Sequence, residues 1–201
     1  MKTPRSMIAV LAMLAFVPAS YAAPDAVKNA AAKKPAPQKS DQDKLFTALA
    51  DADTAEEAQG IEARLAETFK ISGSPSVDLL MARINMAMAG PDGKSDPGTA
   101  RQLSDAVTRL APDYAEGWRT RALLQLTADD HAGAMISLQK AVTINPRHFL
   151  AMRELAQMLE DFGDKPGALK LYRRVLVLDP RMETAAERVK ALTRDVEGQG
   201  I

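Results

Sequence analysis

The chain contains no cysteine. That excludes a disulfide, a thiolate metal site, a cysteine nucleophile and a lipid-modified cysteine. Its apolar run at residues 7–17 has 11 members, short of the roughly 20 that span a bilayer comfortably. It also lacks a basic body. From residue 41 onward, 20 Lys and Arg stand against 25 Asp and Glu, a balance that argues against nucleic-acid binding. No Ser/His/Asp order, glycine-rich phosphate loop or spaced carboxylate pair stands out. A fold alone would not supply the chemistry, so the expectation is a protein that is not an enzyme and carries no cofactor or metal.

The amino terminus has its own character. Lys2 and Arg5 precede the apolar run, and Ser20 and Ala22 put small residues before Ala23. This three-part layout is that of an export signal, residues 1–22, cleaved before Ala23, and it implies a periplasmic protein without stable membrane insertion. Residues 23–40 are rich in Lys, Pro and Ala, with four lysines against Asp25, and are read as a disordered tether. The sharper reading of those lysines is attraction to an anionic membrane or wall.

The body repeats. Pro112, Pro146 and Pro180 are 34 residues apart, and Ala100, Ala134 and Ala168 keep the same beat. So do Trp118 and Met152, Ala122 and Ala156, Leu138 and Tyr172, Ala141 and Val175. A fixed period of this length is the mark of stacked helical pairs. Small residues at Ala122, Ala134, Ala141, Ala156 and Ala168 let two helices approach closely. Large ones at Trp118, Leu138, Met152 and Tyr172 fill the gaps between pairs, with Trp118 as the expected anchor. The prolines stand where the chain must turn to the next repeat.

Ahead of the repeats, Leu45, Phe46 and Leu49 form one apolar helix face, and Ala58, Ile61, Leu65 and Phe69 another. Thr54 and Glu57 make a capping-box pair, and Ser74-Pro75 restarts the chain. This first pair, residues 41–74, does not fit the 34-residue template and is expected to cap the amino-terminal end of the stack. Asp113 is expected to cap the helix that follows it. The array then covers residues 75–196: a degenerate repeat at 81–114 with an enlarged loop at 91–98, full repeats at 115–148 and 149–182, a capping helix at 183–196, and a tail at 197–201.

These residues resemble the tetratricopeptide repeat, whose pattern is a Trp, a Leu-Gly, a Tyr, two spaced Ala and a closing Pro. The resemblance covers about half the chain and implies an all-α, right-handed solenoid of stacked antiparallel helix pairs. The signal, the tether, the stretch Ala111-Pro112-Asp113-Tyr114-Ala115-Glu116-Gly117-Trp118 and the tail are similar to small exported tetratricopeptide proteins of alphaproteobacteria. That second resemblance alone implies a scaffold supporting cell-envelope integrity and, in a host-associated bacterium, colonisation or virulence. The alternative is a peripheral wall- or membrane-associated structural protein held by its basic tether.

Arrays of this family hold a protein or peptide partner on the concave face lined by the first helix of each pair. By helical spacing, that face carries Glu116, Arg119, Thr120 and Leu123 in one repeat and Leu150, Arg153, Glu154 and Gln157 in the next. Arg119 and Arg153 lie 34 apart and would offer two forked donors to a carboxylate. The alternative is that they pair with Glu116, Glu154 or their neighbours. The family's clamp for a C-terminal carboxylate is not reproduced, because Leu123 stands where that clamp wants an amide. Asp129, Asp130 and His131 are read as helix-start residues rather than metal ligands.

Overall fold

The computed structural model describes residues 39–90 and 94–198. The expected export signal, nearly all of the tether and residues 199–201 lie outside the described residues, as do residues 91–93 of the enlarged loop. Nine helices and no strand are found among the described residues: α1 (Lys39–Ala50), α2 (Ala55–Phe69), α3 (Pro75–Ala89), α4 (Pro97–Leu110), α5 (Ala115–Leu126), α6 (His131–Ile144), α7 (Phe149–Asp161), α8 (Lys165–Leu178) and α9 (Glu183–Glu197). Helices α3/α4, α5/α6 and α7/α8 pack as pairs, α4 meets α5, α6 meets α7, and α9 lies on α8.

The 34-residue beat is also a beat of helix caps. Asp96, Asp130 and Asp164 open the second helix of each pair, and each accepts a 2.9 Å hydrogen bond from the backbone N–H three residues on, at Thr99, Gly133 and Gly167. Such a cap satisfies a donor that the helix start leaves orphaned. A Cβ at Gly133 would meet the Asp130 carboxylate and the Gln125 amide as they stand, whereas the first cap accommodates Thr99 in the same slot. The residue before the cap turns left-handed, with φ of 58° at Asp129 and 87° at Gly163. First helices α5, α7 and α9 begin after Tyr114, His148 and Met182, again 34 apart. Asp113 is therefore not the cap of α5. Tyr114 holds that place without a side-chain cap bond, and its hydroxyl donates to the Lys70 carbonyl at 2.8 Å.

The expected contact residues are where close helix approach requires them. Ala100, Ala122, Ala134, Ala141, Ala156 and Ala168 are all inaccessible, as are Leu138 and Met152. Trp118 departs from expectation. It is only half-buried, its indole N–H donates to the Pro112 carbonyl at 3.0 Å, and the Arg121 guanidinium lies 5.6 Å from its ring. Phe149 and Tyr172 are the largest side chains in the interior.

The first helix pair is not placed as an end cap. It lies along one flank of the array, across the turns that join one repeat to the next. The Phe69 ring stacks on His148 at 4.2 Å and sits 5.8 Å from Phe149. Arg147 covers the Phe46 ring at 3.8 Å and pairs with Asp43. Arg181 Nε donates to the Ala52 carbonyl at 3.0 Å. The physical reason is burial. The α2 face Ala58, Ile61, Leu65 and Phe69 joins the same core as the α5–α8 repeats, whereas α3 leaves Leu79 and Met86 about two-thirds exposed.

One contact of this flank titrates. Asp179 is fully buried, its Oδ1 accepts from Arg181 N at 3.2 Å, and the Glu62 carboxyl of α2 lies against it. Burial first, and Asp179 second, push the Glu62 pKa up to about 7, against the opposing pull of Arg153. The folded protein thus holds a proton that the unfolded chain releases near pH 4.5. Stability is unpenalised below that pH and falls as the pH rises toward 7. Melting temperature is expected to drop from pH 5 to pH 8 by more in the native chain than in Glu62→Gln. Equal drops would show that Glu62 is not desolvated against Asp179.

Candidate functional site

The first helices α5, α7 and α9 present equivalent slots: Glu116, Leu150 and Thr184; Arg119, Arg153 and Glu187; Thr120, Glu154 and Arg188. Between α5 and α7 these slots are filled internally. Arg119 Nε lies 3.0 Å from both Glu154 oxygens, its Nη2 lies 2.6 Å from Glu154 Oε1, and its Nη1 donates to Glu116 Oε1 at 2.9 Å. The other Glu116 oxygen meets His148 Nε2 at 2.9 Å. His148 Nδ1 accepts from Ala151 N at 3.3 Å, which leaves the proton on Nε2 to face Glu116. Side-chain exposure is 17% for Arg119 and Glu154 and 8% for Glu116. Burial pulls the Arg119 pKa down, but Glu154 and Glu116 outweigh it and raise it above the usual arginine value.

Between α7 and α9 the same face opens into a cavity of about 760 Å³. Leu126, Met158, Phe162 and the Tyr172 ring supply its apolar lining, and Arg153, Glu154, Gln157, Asp161, Glu187 and Arg188 its polar one. Met158 and Tyr172 are buried, and Phe162 is 59% exposed. Gln157 joins floor to wall: its Oε1 accepts from the Tyr172 hydroxyl at 3.3 Å and its Nε2 donates to Asp161 at 2.9 Å. Arg188 pairs with Glu160 on α7. Arg153 makes no ion pair or hydrogen bond among the described residues.

Of the eight residues expected on the partner face, Arg153, Glu154 and Gln157 line this cavity. Leu123 is exposed to 37% nearer the amino-terminal end. Thr120 and Leu150 are half-buried, and Leu150 packs on the core. Glu116 and Arg119 belong to the internal network, so the intramolecular alternative describes Arg119. The reason is register: α7 brings Glu154 to Arg119 with two parallel acceptors, the geometry a guanidinium fork prefers.

The sequence reading missed Thr184, Glu187 and Arg188. The period carries the signal, since they stand 34 after Leu150, Arg153 and Glu154, but the polar face of a terminal helix looks the same whether it caps the stack or lines a cavity. Asp130 is engaged as a helix cap and accepts from Gln125 at 2.9 Å. His131 turns its ring edge-on to Phe162 at 5.7 Å and joins the cavity lining. Among the described residues no group of three or more His, Asp or Glu side chains is placed to hold a metal. The arrangement offers a shaped apolar floor ringed by charge, which is the chemistry of binding.

No family model matches the chain. Over 156 residues it is 31% identical to a TPR repeat-containing protein of Rhizobium etli, covering 78% of this chain and 74% of that protein. Its fold is similar to the first TPR domain of Spaghetti (RPAP3) bound to the HSP90 peptide SRMEEVD, with a TM-score of 0.52, 19% identity, and 60% and 93% of the two chains covered. It is also similar to the Sgt2 TPR domain from Aspergillus fumigatus, at a TM-score of 0.51, 21% identity, and 62% and 81% coverage. MamA gives a TM-score of 0.53 at 16% identity, over 71% of this chain and 83% of that one. At such identities these structures speak to the fold.

Proposed function

Because this chain belongs to the tetratricopeptide repeat family, we propose that it is a non-enzymatic scaffold that binds a protein or peptide partner on the face built by α5, α7 and α9. The observation that carries this reading is the cavity of about 760 Å³ between two successive first helices. In this reading the first-helix face is the concave one, which in such arrays can take an extended partner. The Spaghetti domain holds an HSP90 peptide, which supports a peptide-sized partner here.

The test is site-directed photocrosslinking in intact cells. A photoreactive phenylalanine analogue at Phe162, which is 59% exposed at the cavity, is expected to give one discrete adduct. The same analogue at Ile136, 65% exposed on the second helix α6, is expected to give none. Adducts at Ile136 only, or at neither site, would overturn the groove reading.

The finer reading places this scaffold in the periplasm, in support of envelope integrity or assembly and, in a host-associated bacterium, of virulence. Export is supported by the charged, apolar and small-residue order of residues 1–22, and the envelope and virulence roles rest on the resemblance to small exported tetratricopeptide proteins alone. Osmotic shock is expected to release the protein with Ala23 as its amino terminus. Retention of Met1 on the bulk of the protein would overturn the periplasmic location. Deleting residues 24–38 separates scaffold from wall-bound structural protein: a groove binder keeps its crosslinked partner, whereas a protein held by its lysines loses its location.

A further inference from the structure

A stack of repeats needs a polar outer face at each end, and the two ends of this array differ. At the carboxy-terminal end, Glu183, Glu187, Lys190 and Arg194 of α9 are all exposed and stand at spacings of 4, 3 and 4. Helix α3 does the opposite. Its inner stripe, which includes Val77, Leu80, Ile84 and Met88, packs in one cluster with Ala100 and Val107 of α4. Its outer stripe is Pro75, Leu79, Ala82, Met86 and Ala89, at spacings of 4, 3, 4 and 3, and each of these is both apolar and exposed. Leu79 is 62% exposed and Met86 66%. The helix pair α1/α2, which would have covered this end as a cap, lies on the flank instead.

A helix that is apolar on both sides is a helix with a partner on both sides. Spacings of 4 and 3 along its outer side make the seam of two helices packed nearly along each other. A second copy can meet this seam in two ways. Head-to-tail stacking sets α3 on the outer face of another α9, which puts Leu79 and Met86 against charges. A two-fold pairing sets α3 antiparallel to itself. With the axis midway between residues 80 and 81, each large side chain of the seam faces a small one: Leu79 faces Ala82 of the second copy, and Met86 faces its Pro75. Beside the seam, Arg83 faces Ser76 and the Asn85 amide faces the Asp78 carboxylate, so no like charges meet. Moving the axis to residue 84 keeps the size match but sets Arg83 on its own copy.

We infer that a second copy of this chain packs on the outer stripe of α3, antiparallel, to form a two-fold dimer. The self-matching order of sizes and charges selects this occupant. The surface is separate from the proposed partner-binding cavity, since none of the stripe residues lines it. The 15-residue helix α3 is about 22 Å long. One face of it falls short of the roughly 800 Å² that each partner gives to a standard interface. The dimer is therefore weak and reversible, with a midpoint on the order of 10–100 µM.

The test is sedimentation equilibrium of the purified chain over a concentration series that spans this midpoint. The mass is expected to rise from one chain toward two. Leu79→Glu and Met86→Glu are each expected to move the midpoint up by at least about tenfold and to melt as the native chain does, because both positions are exposed. Ile136→Glu, on α6 and 65% exposed, is expected to associate as the native chain does. The chain has no cysteine, so introduced thiols report contacts without background. Leu79→Cys mixed with Ala82→Cys is expected to form a disulfide-linked dimer under mild oxidation, faster than either variant alone. Ile136→Cys is expected to form none.

A single-chain mass at every concentration, or association unchanged by Leu79→Glu and Met86→Glu, would overturn the inference. Faster bridging of Leu79→Cys with Ala89→Cys than with Ala82→Cys would overturn the pairing. In a chain that stays single, a Leu79→Cys thiol that becomes reactive only when residues 24–38 are deleted assigns the stripe to the chain's own amino-terminal segment. One that is shielded only inside cells assigns it to a different protein. Either result removes the second copy and leaves the Phe162 crosslink, and with it the cavity reading, untouched.

Discussion

Arg119→Glu is expected to destabilise the fold by about 3–5 kcal/mol, the cost of breaking a buried ion pair by changing one partner. The side chain is only 17% exposed, and its three nitrogens serve Glu154 and Glu116 together. The substitution would leave three carboxylates facing one another across α5 and α7, with no cation between them. This differs from the stability effect of an exposed arginine, about 0–1 kcal/mol, which the open-face reading of Arg119 implies. Urea denaturation measures it. A loss below about 1 kcal/mol would mean that solvent screens the cluster. Exchanging the partners (Arg119→Glu with Glu154→Arg) is expected to recover part of the loss. The double substitution restores one attraction but leaves Glu116 beside a carboxylate where it had a guanidinium.

Phe149→Ala is expected to cost about 3–5 kcal/mol, the range for truncating a buried aromatic. Net stability of a domain is about 5–15 kcal/mol, so this one change can approach unfolding. Phe149 is inaccessible and stands 5.8 Å from the Phe69 ring, so it joins α7 to the flanking α2. Its loss opens a cavity on both sides of that seam. Trp118→Ala is expected to cost less. Although the indole is larger, it is half-buried and gives up one hydrogen bond, to Pro112. Denaturant midpoints of the two variants decide the matter. If Trp118→Ala is the more damaging, the interior anchor is Trp118 after all.

The contrast between these residues shows what a sequence pattern carries. Slot identity was legible: Trp118 and Met152 do occupy equivalent positions, yet Met152 is inaccessible and Trp118 is not. A repeat places a side chain at an interface without stating how much of it the neighbours cover. Arg119 and Arg153 make the same point for the site. Their beat of 34 placed both on the first-helix face. Their different fates depend on Glu154 and Arg188, residues of the following helix.

The sequence by itself determined the local and periodic features of this protein. Helix pairs, alanine contacts and the chain reversals at Pro112, Pro146 and Pro180 follow from short-range sterics and from burial repeated every 34 residues. Tertiary structure alone decided where the first helix pair goes and what the first-helix face has to offer. Asp43 meets Arg147 across 104 residues of chain, and Arg181 meets Ala52 across 129. No period links such residues. They are brought together because α2 must bury its apolar face, and the flank of the array is where it is covered. Charge followed the same rule. Arg119 met a carboxylate and was neutralised, whereas Arg153 has Arg188 in the equivalent place of the next helix and lines the cavity.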